Sequence, residues 1–405
     1  MTSNKFTLAE KQNNVSRYSA NPVLRHLLTL DYNRITTLSY SALLFILIPF
    51  FSQAQKITSF KDGIGDKFYT GAALNVPQTI VGNDTTIQNI ITEHFNAIVS
   101  GNTMKSGWLQ RKKGEFNFNW ADAFVDFGEQ NDMFITGHTL VWHSQAPKWF
   151  FTDDDGNQVS REEMIRRMRD HIYTVVGRYK GRIDTWDVVN EAIEDDGSWR
   201  ESKFYKIIGE DFIKLAFQFA HEADPEAELY YNDYSMSNPG RRAGVVAMVK
   251  SLQEAGIPIH GIGMQGHLGL DYPSLDEFEK SILAFSELGL KVSITELDIT
   301  VLPSPWGDMG ADVSTNVSYE ERMNPYPDGL PKKVQKKFDQ RYLDLYKLFL
   351  KHEDKIDRVT LWGVTDDHSW KNNWPIKGRT DYPLLFDREN QPKAVVQEII
   401  DLYQK

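Results

Sequence analysis

The chain has 405 residues, a formal net charge of -11 and no cysteine. That length fits one large single-core domain or two small ones. The missing Cys excludes disulfides and thiolate metal sites, and the negative balance argues against nucleic acid as a partner. Aromatics make up 12% of the residues, with 10 Trp and 17 Tyr. Ordinary core packing accounts for most of them, but Trp and Tyr near polar strand ends also suit flat, weakly polar ligands such as sugar rings.

Residues 1–35 are polar and carry no apolar period. Residues 42–51 are then apolar throughout but for Pro49. This run is too short for a spanning helix, which needs about 20 apolar residues. Arg34 precedes it and Ser52-Gln53-Ala54 follows, so residues 36–54 read as a signal peptide cleaved near Ala54. The mature protein is then expected to be secreted or periplasmic, with no stable membrane insertion. An uncleaved anchor and a buried hydrophobic helix are the alternatives. The long polar segment ahead of the run fits a translation start downstream of Met1, although no other Met precedes Met104.

From residue 66 onward, short β-rich apolar runs alternate with amphipathic stretches. The pattern predicts strands over residues 68–72, 96–99, 134–141, 184–189, 228–231, 261–265, 291–295 and 358–363. Ser160 and Glu163 form a capping box, followed by Ile165, Met168, Ile172, Val175 and Tyr179 at helical spacing. The next predicted helix carries Phe204, Ile207, Ile208, Leu215 and Phe219; others start near Pro239, Ser274 and Pro331, and the last carries Val395, Val396, Ile399 and Leu402. Eight strands alternating with helices give an α/β chain of parallel βα units. The count of eight, with polar or aromatic groups at nearly every strand end, favours a closed (β/α)8 TIM barrel over a doubly wound sheet. Residues 55–405 are read as its single catalytic domain. Long loops follow the seventh and eighth strands, over 299–330 and 366–383.

The stretch Trp186-Asp187-Val188-Val189-Asn190-Glu191 reads as a buried strand ending in an amide and a carboxylate, and Val292-Ser293-Ile294-Thr295-Glu296-Leu297-Asp298 repeats that grammar. Two strand ends that each deliver a Glu hold a carboxylate pair across one pocket, the arrangement that glycosidic bond cleavage uses. The other strand ends offer Asn102 and Lys105; His138, Trp142 and His143; Asn232, Asp233 and Tyr234; Gln265 and His267; and Trp362, Asp366 and Trp370. Singly, each has a bland explanation in core packing or a solvated turn. Together they converge on one end of a barrel. His138 and His143 alternate faces, and no metal-ligand spacing occurs, so a metallohydrolase is the weaker reading.

Six segments resemble glycoside hydrolase family 10, which consists mainly of endo-β-1,4-xylanases. They are Gly137-His138-Thr139-Leu140-Val141-Trp142-His143, Trp186-Asp187-Val188-Val189-Asn190-Glu191-Ala192, Tyr231-Asn232-Asp233-Tyr234, Gly263-Met264-Gln265-Gly266-His267, Ile294-Thr295-Glu296-Leu297-Asp298 and Leu361-Trp362-Gly363-Val364-Thr365-Asp366. They occur in order through residues 66–404. The resemblance implies that Glu191 is the general acid/base and Glu296 the nucleophile, with His267 and Asp298 holding Glu296 ionised and oriented. It implies that Asn190 and Gln265 are donors around the sugar at the cleavage point. Asn102, Lys105, His138, Trp142, Trp362 and Trp370 belong on the glycone side, Asn232 and Tyr234 on the aglycone side, and His267 also borders the substrate. The chemistry needs a protonated acid and an ionised nucleophile, roughly 5–5.5 Å apart for a retaining mechanism. The implied partner is xylan or its oligosaccharides, acted on by a monomer with no cofactor and no metal.

The chain departs from the family in one place. Relatives carry Glu-Asn-x-Met-Lys after the second strand; here the run is Gly101-Asn102-Thr103-Met104-Lys105, followed by the basic turn Arg111-Lys112-Lys113. The missing carboxylate normally grips the second glycone sugar, so that subsite is expected to be weakened. A mixed-specificity β-1,4-glucanase on the same barrel and a non-catalytic polysaccharide-binding relative are the competing readings.

Overall fold

The computed structural model describes residues 59–304 and 321–405. The expected leader, the polar segment before it and the middle of the loop after the seventh predicted strand lie outside the described residues.

The strands are β1 (Tyr69–Leu74), β2 (Ala97–Ser100), β3 (Phe134–Trp142), β4 (Thr185–Asn190), β5 (Glu228–Asp233), β6 (Gly261–Met264), β7 (His267–Gly269), β8 (Lys291–Thr300) and β9 (Ile356–Leu361). All the ladders between them are parallel, and β6 pairs with β8 while β9 pairs with β1. Eight of the nine therefore close a barrel, and each expected strand starts within two residues of its predicted start. Parallel strands buried on both faces read as near-continuous apolar runs, which is why they were visible in the sequence.

β7 was not expected. Gly266 sits at φ +83° and breaks the sixth strand after Met264. β8 runs on to Thr300, well past its expected end at residue 295, and the chain beyond Gly266 pairs with that extension. The register sets His267 directly beside Asp298.

The main barrel helices are α1 (Thr85–His94), α2 (Asn119–Gln130), α3 (Arg161–Arg178), α4 (Lys203–Ile208), α5 (Asp211–Ala223), α6 (Pro239–Glu254), α7 (Leu275–Ser286), α8 (Lys332–Lys351) and α9 (Ala394–Tyr403). Ser160 caps α3 by accepting from the Glu163 amide, and Ser274 caps α7 in the same way. Met168, Ile172 and Val175 of α3 are fully buried. Each contributes about 1.5–3 kcal/mol by leaving water. The single helix expected over Phe204 to Phe219 is two: Gly209, at φ +86°, ends α4, and α5 starts afresh at Asp211. Strand β3 approaches β4 closely, because a Cβ at Gly137 would lie 2.3 Å from the Trp186 ring. Among the described residues no helix is long and apolar enough to cross a membrane.

Candidate active site

The polar groups gather where the strands end. Across β3, β4 and β5 the register aligns Trp142, Asn190 and Asn232 in one row. Glu191 is the next residue, and it leaves the strand with φ +60°, an unusual backbone for a non-glycine residue. Its carboxylate is 7% exposed. Oε2 accepts from Trp142 Nε1 at 2.9 Å, and Oε1 from Gln265 Nε2 at 3.0 Å and Asn190 Nδ2 at 3.3 Å. His143 Nδ1 lies 3.9 Å from Oε2. Turned over, the Asn190 amide would offer Trp142 Nε1 an acceptor at 3.2 Å, but it would set its nitrogen against Asn232 Nδ2 at 2.9 Å and lose the bond to Glu191, so the orientation that bonds Glu191 is the one described.

Glu296, on β8, is 4% exposed. Asn232 Nδ2 donates to its Oε1 at 2.8 Å and to Asn190 Oδ1 at 2.9 Å, while Asn232 Oδ1 accepts from Thr295 Oγ1 at 2.6 Å. Two amides, Asn190 and Asn232, thus bridge the two carboxylates. On its other oxygen Glu296 faces His267 Nε2 at 3.2 Å. The opposite ring nitrogen of His267 lies 3.0 Å from Asp298 Oδ2. Asp298 is fully buried and also receives Trp370 Nε1 at 2.9 Å, with Lys371 Nζ 3.3 Å from its second oxygen.

This chain of groups sets the electrostatics at Glu296. Burial pushes His267 down, but the charge and hydrogen bond of Asp298, with the bond to Glu296, outweigh it and raise its pKa to about 9. The ring is therefore a cation at neutral pH, with Nε2 donating to Glu296 and Nδ1 paired in charge with Asp298. Burial alone would raise the Glu296 pKa; the His267 bond, helped by His138, His267 and Lys105, holds it below the ordinary carboxylate value. Asp298 is likewise held low against burial by His267 and Lys371. Lys105 is buried beside both glutamates; desolvation brings it down to about 8 although Glu296 and Glu191 favour its charge. Among the described residues Glu296 is the glutamate bonded to His267. Glu191 is bonded to an indole and two amides, with His143 3.9 Å away.

The remaining expected residues line the same site. Lys105 Nζ donates to Asn102 Oδ1 at 3.2 Å and lies 4.8 Å from the Trp142 ring centroid. His138 Nδ1 meets Asp187 Oδ2 at 2.8 Å, and its ring packs edge-on to Trp362. Trp370 stacks on Trp374 with centroids 4.6 Å apart. Tyr234 stands further back: its hydroxyl accepts from Arg200 Nη2 at 2.7 Å, and Arg241 lies over its ring.

Three of the strand-end groups are enclosed or engaged by other partners. Asn232, expected on the aglycone side, is fully enclosed and bonded to the Glu296 carboxylate, so it orients that carboxylate from behind. Asp366 turns away from the site, accepting from the Leu384 amide at 2.8 Å and facing Lys393 at 2.8 Å. Asp233 is buried against Arg241, 2.6 Å away. Sequence reasoning missed Asp187, Arg200 and Lys371. The register pairing His138 with Asp187 explains the first; the other two reach the site through loops and leave no periodic signal.

A parallel (β/α)8 barrel that brings two buried, amide-bonded carboxylates together, one of them beside a histidine–aspartate pair, defines a two-carboxylate glycoside hydrolase. The model of glycosyl hydrolase family 10 matches residues 59–402, and the chain belongs to that family. An endo-1,4-beta-xylanase A of Xylanibacter ruminicola is 52% identical over 89% of this chain and 97% of its own length. An endo-1,4-beta-xylanase of Geobacillus stearothermophilus is 40% identical over 85% and 99%. Among solved structures, a GH10 endoxylanase from a sugarcane soil metagenome superposes with a TM-score of 0.82 at 49% identity, covering 85% of this chain and all of its own.

Proposed function

We propose that the protein is an endo-acting, retaining β-1,4-xylanase in which Glu296 is the nucleophile and Glu191 the acid/base. The observation that carries this reading is the asymmetry of the pair. The two carboxylates share the Asn190–Asn232 amide bridge, yet only Glu296 touches the His267–Asp298 cation system. Membership of family 10 and relatives named as endo-1,4-beta-xylanases support the substrate class.

In the first step Glu296 attacks the anomeric carbon, the bond to the leaving oxygen breaks, and the Glu191 proton passes to that oxygen. The product is a xylosyl ester on Glu296 and a shortened chain with a free hydroxyl. In the second step Glu191 takes a proton from water, the oxygen of that water attacks the same carbon from the opposite face, and the Glu296 carboxylate departs. Asn190 and Gln265 reach the Glu191 carboxylate and serve as donors around the reacting sugar; Lys105, His138, Trp142, Trp362 and Trp370 wall the glycone side, and Tyr234 stands towards the aglycone. Gly101 weakens the distal glycone subsite. The leader over residues 36–54 sends the enzyme, as a monomer, to the periplasm or the medium.

Release of reducing sugar from xylan and from carboxymethylcellulose, with Glu296→Ala as control, tests the reading. Strong release from xylan, little from carboxymethylcellulose and none from the variant is expected. Equal release by wild type and variant would remove the catalytic claim; equal release from both polymers would favour the mixed glucanase.

A further inference from the structure

Glu191 takes its place through an unusual backbone. Its φ of +60° is a conformation that non-glycine residues hold only when their surroundings fix it. Accounting for the peptide groups around it shows what does the fixing. The Glu191 amide donates to Asn232 O at 2.9 Å, continuing the ladder to β5. Its carbonyl accepts from Arg200 Nε at 2.8 Å. The next two amides, of Ala192 and Ile193, point into the protein, and both donate to one atom: the Tyr231 hydroxyl oxygen, at 2.9 and 3.1 Å.

Tyr231 lies on β5 and is fully buried. Its own proton goes to Asp233 Oδ2 at 2.5 Å. Asp233 is fixed in turn by Arg241 Nη1 at 2.6 Å and the Tyr234 amide at 2.9 Å on its other oxygen. The phenol thus uses both acceptor sites and its donor, with no bond to any carboxylate of the catalytic pair.

We propose that Tyr231 is a positioning residue for the acid/base: its phenol pins the two amides after Glu191 and thereby holds the Glu191 carboxylate against Trp142 and Gln265. The inference rests on Glu191 being the acid/base. A phenylalanine at 231 keeps the ring and leaves two buried amides without that acceptor, apart from a 3.4 Å contact of Ile193 with Asp233. The backbone at Glu191 then relaxes, and proton transfer to the leaving oxygen loses its geometry. Glu296, held from β5, β7 and β8 by other groups, keeps its attack geometry.

A loss confined to proton transfer depends on the leaving group, and general loss of structure does not. The test measures kcat/KM, which reports the first step, for xylotriose and for a dinitrophenyl xylobioside whose leaving group needs no proton. For Tyr231→Phe, xylotriose is expected to fall about tenfold or more, while the activated substrate stays within about twofold. In the Glu191→Ala background, adding Tyr231→Phe is expected to change neither value further, since both act through one group. Equal losses on the two substrates, no loss on either, or additive losses in the double variant would overturn the proposal. Should Tyr231→Phe fold poorly, p-aminophenylalanine at 231 keeps the size and the donor to Asp233 but accepts poorly, and the same split is expected. If Glu191→Ala itself shows no leaving-group dependence, the acid/base assignment fails; if it does and the Tyr231 variants do not, the positioning role alone fails.

Discussion

In the proposed mechanism Glu191 and Glu296 are the same side chain given opposite tasks, and the difference lies in what each touches. Glu296 is bonded to an imidazole raised to about 9 and lies near Lys105, which has been brought down to about 8. With the activated dinitrophenyl substrate, which bypasses the acid, kcat/KM is expected to hold level from below the ordinary carboxylate range up to about pH 8, then fall as Lys105 and His267 lose their protons. A pH profile on that substrate checks this; a decline centred near neutrality would show that Glu296 is not governed by these cations. The sign for stability follows. The His267 pKa is raised above its ordinary 6.5, so its contribution is complete below that value and is lost as pH rises through about 9. Gly101 is the other residue with a measurable consequence. A Cβ there meets nothing closer than Leu74 O at 3.4 Å, so a side chain is accommodated. Gly101→Glu is expected to lower KM for xylotriose about ten- to hundredfold, the worth of a charged hydrogen bond of roughly 1.5–3 kcal/mol. Unchanged KM and kcat on oligosaccharides of every length would remove the weakened-subsite reading.

At the scale of elements, the site depends on how closely neighbouring strands pack. β3 and β4 bring Trp142 and Glu191 together, and Gly137 lets the Trp186 ring lie flat against β3. Gly137→Ala places a methyl 2.3 Å from that ring. It is expected to destabilise the fold by about 1–3 kcal/mol through overpacking and to reduce kcat as the Trp142–Glu191 contact loosens. Thermal melts and kinetics check both parts; an unchanged melting temperature would mean the strands adjust freely. The strands were legible because period, β-branching and turn residues agree along them. Asp298 beside His267 was not legible as a strand pairing, since a break at Gly266 sets off β7 and no local pattern announces it. The helix break at Gly209 was missed because apolar spacing continued across it. Glu191, Glu296, His267 and Asp298 could be named in advance because they stand in ordered motifs. Asn232 was named, but its bonds to Glu296 and Asn190 were not legible, since a strand residue's neighbours depend on a partner strand far away in sequence.

At the scale of the molecule, a closed barrel gathers groups from many strands at one rim, and two of its strand ends, β4 and β8, carry the pair. The export reading belongs here too: N-terminal sequencing of protein collected from the periplasm or medium is expected to begin just after Ala54, and an intact leader on the exported protein would contradict it. The division of labour between the two glutamates is tested most directly by trapping the covalent intermediate. A 2-fluoro xylobioside with an activated leaving group forms the ester quickly and hydrolyses it slowly, because fluorine disfavours the electron-poor transition states of both steps. The account predicts stoichiometric inactivation, with one fluoroxylobiosyl group on the peptide containing Glu296 and none on that of Glu296→Ala. A label on Glu191, or hydrolysis that persists with no label at all, would contradict it.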